Sequence, residues 1–422
     1  MKKIYTLFAA AAVAMSATAA APALEPHQIT APSMQLHQNL STLSLQSPAQ
    51  INRPAKAPKA NAAAAATSVA DFENLYLHEF YSGYDGWLTG GLSMIGDLGD
   101  GTVGVDGFWM EDMPLVGGVF DPATQTIAFP AQDTGLTTTI SGTTYNIVIS
   151  MLDATTFTML SDDMVFNVSL EDREIWFEGT VKEVEGKTAW GNILAICALT
   201  SDGQFAGVLD ALCVVDFNVV NSYCSYSYLA ESTDTELTEG VDYIYTEIQG
   251  NNLVVSNLLS GGFAYDVPFA VDATALTATV TDGVVSQQQD SDGTFYDFCL
   301  YGMTVEGQNA SITGTTVDFD VQVVEQEGEK LTGIGTQYCA CGTSYQGEFL
   351  PWLGDGIIYG LTVVYQGDLI ADMAGVEDIT IDEDNSNAPV EYFNLQGQRV
   401  ANPANGQILI RRQGSQASKV RF

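Results

Sequence analysis

Along most of the chain apolar and polar residues alternate with a period of two. Tyr145, Ile147, Ile149 and Met151 fall on one side of an extended segment. Met164, Phe166, Val168 and Leu170 do the same, with Asn167 and Ser169 opposite, and Val317, Phe319, Val321 and Val323 alternate with Asp318, Asp320 and Gln322. Successive strand side chains point to opposite faces, so this period predicts half-buried strands of antiparallel sheets. Turn pairs punctuate the pattern at Asp100-Gly101, Gly142-Thr143, Asn251-Asn252 and Asp292-Gly293. No segment of ten residues keeps a clean helical period; Gln204 to Val215 comes nearest. The pattern predicts an all-β fold.

Two stretches recur in the same order. Gly118 to Phe129 is similar to Phe269 to Val280, and Ser141 to Met151 is similar to Asp292 to Met303. A strand, an Asp-led turn and another strand thus return about 150 residues later, as in an internal repeat. The expected architecture is two tandem antiparallel β domains, residues 71–218 and 219–375, each a sandwich or a barrel. A short C-terminal β segment, residues 376–422, follows.

The N-terminal 70 residues break the alternation. Lys2 and Lys3 precede an apolar run from Ile4 to Met15 and the small residues Ala17-Thr18-Ala19. This is the layout of a secretory signal peptide, residues 1–20, and the run is too short to span a bilayer. Residues 21–70 are rich in Ala, Pro, Gln and Ser and lack aromatic residues, so they read as a disordered linker. The expected location is outside the cell or on its surface, with no transmembrane segment.

Charge changes the picture next. The 422 residues carry 52 acids and 14 bases, a formal net charge of -38. Residues 71–375 hold 45 acids against Arg173, Lys182, Lys187 and Lys330 alone. Nucleic acid is excluded as a partner, because neutralising phosphates takes clustered Lys and Arg. The last 24 residues reverse the sign with Arg399, Arg411, Arg412, Lys419 and Arg421.

That tail ends in three motifs. They are Val390-Glu-Tyr-Phe-Asn-Leu-Gln-Gly-Gln-Arg-Val400, Asn405-Gly-Gln-Ile-Leu-Ile-Arg411 and Lys419-Val-Arg-Phe422. Together they resemble the C-terminal sorting module of exported Bacteroidetes proteins, in which a Tyr-Asn-Leu-x-Gly-x-x-Val turn precedes a Gly-led strand and a final Lys-Val strand. The resemblance implies export by a type IX-like route or attachment at the cell surface, with the secretion machinery as a partner. It covers about a tenth of the chain and departs from the pattern in lacking the Pro-Asn-Pro opening.

Candidate chemistry is sparse. Six cysteines, Cys197, Cys213, Cys224, Cys299, Cys339 and Cys341, permit one or two disulfides beside buried thiols in an exported protein. His78 is the only histidine of the body and reads as a solvent-facing strand residue, which leaves triad chemistry without a base. No catalytic residue is assigned. Dense carboxylates suit calcium, the one cofactor considered, at Asp290, Asp292 and Asp297, with a second cluster at Asp97 and Asp100. Tyr81, Tyr84, Trp87 and Trp109 form one aromatic cluster and Tyr226 and Tyr228 a second; exposed rings of this kind stack on sugars or anchor protein interfaces. The leading expectation is a non-enzymatic binding protein for a glycan or an extracellular protein. The alternatives are a polysaccharide hydrolase using two carboxylates and a self-associating envelope component.

Overall fold

The computed structural model describes residues 36, 38, 65–82, 86–109, 113–228, 237–289, 294–306, 309–326, 328–345, 348–350, 357–374, 390–393, 400, 408–413 and 416–421. The predicted signal peptide, most of the predicted linker, Tyr84, Asp290 and Asp292 lie outside them. Linker positions 36, 38 and 65–70 do not: among them Leu36 is half-buried against the core of the first domain, and Ala66 is buried, bonded in both directions to the Gln125 amide.

The first domain runs through β1 (Asn74–Ser82), β2 (Gly86–Asp97), β3 (Val103–Asp106), β4 (Leu115–Asp121), β5 (Thr126–Phe129), β6 (Gln132–Ile140), β7 (Thr143–Asp153), β8 (Thr158–Met159), β9 (Met164–Ser169), β10 (Glu174–Glu178), β11 (Val181–Val184), β12 (Lys187–Trp190), β13 (Asn192–Leu199) and β14 (Phe205–Val219). Eight of these close a ring of antiparallel pairs, β1-β2-β3-β4-β5-β9-β10-β14 and back to β1. The path is an up-and-down barrel, which leaves that ring without an edge. β14 is long enough to leave the wall: Val214–Asn218 pair with β10, while Phe205–Leu212 pair with β13. β13, β7 and β6 thereby form a wing, and β11 and β12 a separate hairpin.

The second domain repeats this plan with β15 (Ser222–Tyr228), β16 (Thr238–Gln249), β17 (Asn252–Ser256), β18 (Asp266–Asp272), β19 (Thr277–Thr281), β20 (Val284–Gln289), β21 (Phe295–Glu306), β22 (Asn309–Gly314), β23 (Thr316–Gln326), β24 (Glu329–Gly335), β25 (Tyr338–Tyr345), β26 (Glu348–Leu350) and β27 (Ile357–Tyr365). Its ring is β15-β16-β17-β18-β19-β23-β24-β27, and β25, β21 and β20 make the wing. The recurring sequence stretches fall on equivalent hairpins, β4–β5 with β18–β19 and β6–β7 with β20–β21. A short tail sheet, β28 (Val390–Phe393), β29 (Ile408–Gln413) and β30 (Gln416–Arg421), pairs only within itself among the described residues.

Alternation fills the barrels. Tyr76, Phe80, Phe108, Phe129, Phe166, Phe177 and Phe217 are buried together in the first. Val255, Val267, Phe269, Val280, Val317 and Phe319 fill the second. Gln204 to Val215, the nearest approach to a helix in the sequence, is most of β14. That strand is buried on both faces, so its apolar residues run without interruption and the period of two is lost.

The barrels meet through matching surfaces. Leu75, Leu77, Leu92 and Met94 from the outer face of β1 and β2 pack with Tyr223, Val241 and Tyr243 from β15 and β16, joined by Val220, Leu331 and Val364. Each repeat offers the outside of its first two strands, as two copies do in an isologous dimer.

Candidate functional site

Two members of the first predicted aromatic cluster, Tyr81 and Trp109, do not converge. Tyr81 and Trp109 lie on opposite sides of the β1–β14 wall: Tyr81 packs with Cys213 and Val214 under the wing, and Trp109 is buried in the barrel core. Both are buried, which is the opposite of a solvent-facing stacking platform. Trp109 has a left-handed backbone (φ 31°), and its indole N–H donates to Asp210 at 2.9 Å. Trp87 is set across from Tyr81 by the β1–β2 register.

Tyr226 and Tyr228 do meet, with ring centroids 6.0 Å apart. Both are half-buried on β15. The Tyr226 ring lies over Gly240 of β16, where an added Cβ would come within 2.5 Å of it, so that position requires glycine. Burial, together with the Asp242 carboxylate, pushes the Tyr226 phenol well above its ordinary pKa. Asp242 also accepts from Ser260 Oγ at 2.7 Å. This predicted aromatic pair is partly open to solvent.

Two polar constellations inside the first barrel were not legible in the sequence. His78, expected to face solvent, is 2% exposed on the inner face of β1. Its position follows from the alternation Tyr76-x-His78-x-Phe80-x-Ser82, whose members all point inward. The ring stacks with Phe80 at 5.7 Å and Phe108 at 6.5 Å and meets Phe217 edge-on at 6.0 Å. Nδ1 lies 3.0 Å from Ser93 Oγ, and that hydroxyl donates to the Gly107 carbonyl at 2.6 Å. The Ser93 proton is therefore engaged, Nδ1 is the donor toward Ser93, and Nε2 carries the lone pair. Nε2 is buried without a hydrogen-bond partner. Four residues along the strand, Ser82 Oγ donates to Asp210 Oδ1 at 2.7 Å. Serine, histidine and carboxylate are all present, but no serine is bonded to a histidine that a carboxylate orients, so the set is not a nucleophilic triad.

On the outer face of the same wall the register sets Glu79 beside Asp216 and Asn218 beside Glu174. Glu174 and Asp216 are buried, and Asn218 Nδ2 donates to Glu79 Oε2 at 3.3 Å. A further constellation joins the barrels. Arg173, in the β9–β10 turn, enters the second domain with its guanidinium carbon 3.6 Å from the Tyr245 ring centroid. Its Nη2 donates to Ser256 Oγ at 3.0 Å and lies 3.6 Å from Asp266, while Nη1 lies 4.0 Å from Glu247. Burial lowers the guanidinium pKa, opposed by the tyrosine and the acids around it.

Of the carboxylates proposed for calcium, Asp290 and Asp292 lie outside the described residues, while Asp97 and Asp100 accept hydrogen bonds within their own turn. Asp97 Oδ1 accepts from the amides of Gly99 and Gly101, and Asp100 from Thr102, as turn aspartates do. Asp297 accepts from Gln287 at 3.1 Å. Among the described residues no group of three His, Cys, Asp or Glu side chains is placed to hold a metal ion. The expected disulfides are also absent: all six cysteines are free and buried within hydrophobic clusters. Burial pushes the thiols of Cys197, Cys213 and Cys339 up to about 12 and that of Cys299 to about 11. Such thiols are poor nucleophiles.

Comparison with protein-family models, with curated proteins and with solved structures found no match for this chain.

Proposed function

We propose that this chain is a secreted or surface-displayed protein that binds a partner, a glycan or an extracellular protein, rather than transforming it. The filling of both barrels carries the reading. Barrels that enclose a ligand leave an interior cavity, whereas here the interiors are occupied by the chain's own rings and aliphatic groups. Recognition then falls to the outside. That outside is acidic, and three of the body's four bases are already engaged: Arg173 in the domain interface, Lys182 with Asp153 at 3.1 Å and Lys330 with Asp368 at 2.7 Å. A neutral glycan or a basic protein surface suits such an exterior. The half-open Tyr226–Tyr228 pair is the favoured contact, and the resemblance of the tail supports display at the surface.

The test incubates the full chain with insoluble polysaccharides and mucin. It scores depletion of the protein from solution and formation of new reducing ends. Depletion without new ends is expected, and it should weaken in Tyr228→Ala. New reducing ends would overturn the reading. Removing residues 377–422 is expected to abolish display on the cell surface; unchanged display would remove the sorting role of the tail.

One observation favours hydrolysis as a second reading. Glu79 and Asp216 are direct cross-strand partners, a spacing of about 5 Å between Cβ atoms, and hydrolysis of glycosides uses paired carboxylates. If new reducing ends form, Glu79→Gln and Asp216→Asn should each abolish them.

A further inference from the structure

The first barrel buries an imidazole and the second contains no histidine, since His27 and His37 precede both. We propose that His78 is an acid trigger: protonation of its ring opens the first barrel while the second stays closed.

The geometry supplies the reason. The ring is enclosed by Phe80, Phe108 and Phe217, and its one polar contact among the described residues, Ser93, is held by the Gly107 carbonyl. A proton on Nε2 would place a full positive charge in an apolar core, with a new donor and no acceptor for it. The titratable groups on the elements packed around the ring give it no counter-charge among the described residues. On β1, Glu79 points to the outer face and the Tyr76 hydroxyl is committed to the Phe72 carbonyl at 2.6 Å. On β14, Asp216 also points outward, and Asp210 sits beside Ser82, four residues along β1 from His78, and is bonded to Ser82, Trp109 and the amide of Ala211 rather than to the ring. On β3, Asp106 is exposed. Burial accordingly pushes the His78 pKa down to about 4.

Free imidazole takes up its proton near 6.5. An opened first barrel therefore binds one more proton than the closed one between pH 6.5 and about 4, and acid pulls the equilibrium toward opening. Above pH 6.5 both states are neutral at this site and His78 exerts no pull.

Hydrogen–deuterium exchange of the full chain, corrected for the intrinsic pH dependence of exchange, reads this directly. Between pH 7.5 and 4.5 the opening equilibrium of peptides from residues 74–219 should rise by roughly 50–100-fold through this group. Peptides from 222–365 should change far less. His78→Phe keeps a ring in the cage and His78→Gln replaces it with a group that does not titrate. Whichever variant folds should lose that rise. Equal opening of both barrels, or the same acid response in the folded variant, would overturn the proposal. So would a closed first barrel at pH 4.5 whose His78 resonance titrates near 6.5.

Discussion

The two barrels share a strand order and differ in what fills them. The first is packed with rings, among them Phe129 and Phe177, each 5.7 Å from Phe166, and Phe217 at 6.0 Å from it, and it admits His78, Ser82, Ser93 and Asp210 into its buried set. The second is filled mainly by aliphatic residues, one close ring pair, Phe269 and Phe319 at 4.9 Å, and the thiols of Cys224, Cys339 and Cys341. Its buried polar residues include Ser222 and Thr246 near the start of β15, where Thr246 bonds Asn221 and Ser222. The up-and-down path thus tolerates very different contents, because it needs apolar volume at alternate positions and turns at the right intervals rather than particular side chains. What is specific to each repeat is its polar cargo, and the acid-sensitive group belongs to the first alone.

The largest effect should come from the ring stack. Phe217→Ala removes the ring that touches Tyr76, His78, Phe108 and Phe166. It should cost about 3–5 kcal/mol. Tryptophan fluorescence in urea should show the first barrel unfolding earlier, and an unchanged midpoint would mean that the two interiors are not separable in this way. Asp210→Ala comes next. It leaves the Trp109 N–H and the Ser82 hydroxyl buried without their acceptor, at about 2–4 kcal/mol, and Asp210→Asn should recover part of the loss. This variant also tests whether the polar cargo stabilises the first barrel or merely occupies it.

Arg173→Ala probes the joint rather than either interior. It leaves Asp266 and Glu247 facing the interface without their cation, and a double-mutant cycle with Asp266→Ala should give a coupling of about 1–2 kcal/mol. A coupling near zero would mean that the apolar patch around Leu77 and Tyr223 holds the repeats together unaided. The smallest effect is expected for Lys182→Ala, whose partner Asp153 is partly exposed; about 0.5 kcal/mol is the ordinary worth of such a pair. Hydrogen bonds from Thr155 and Thr156, together with Lys182, hold the Asp153 carboxyl well below its usual range. Its contribution is therefore complete above pH 4 and fades as the solution becomes more acid. Acid melting curves of the wild type and of Asp153→Asn should converge there. This loss sets in below the window assigned to His78, so the two can be told apart.

Much of the fold was legible in the sequence. The period of two named the strands, and Val317, Phe319 and Val321 do face the core of the second barrel. The resemblance between 118–129 and 269–280 marked equivalent hairpins. The site was not legible. Trp109 looked like an exposed ring because its neighbourhood is rich in glycine and acids, yet the Asp210 carboxylate that holds it lies 101 residues away. His78 looked solvent-facing because the residues around it alternate, and in a strand buried on both faces alternation does not say which face is the interior. The cysteines suggested bridges, but strand pairing, not spacing along the chain, decides which thiols approach one another.

The sequence by itself determined the class of fold, the repeat, the charge contrast between body and tail, and the absence of a local catalytic signature, since each of these is a property of composition or of short-range period. Closing each ring through β1 with β14 and β15 with β27, seating His78 in an aromatic cage and drawing Arg173 into the neighbouring domain were decided only by tertiary structure. Those contacts join residues up to 140 or so positions apart. They form because packing two curved, apolar sheets removes more surface from water than any local arrangement of the same residues.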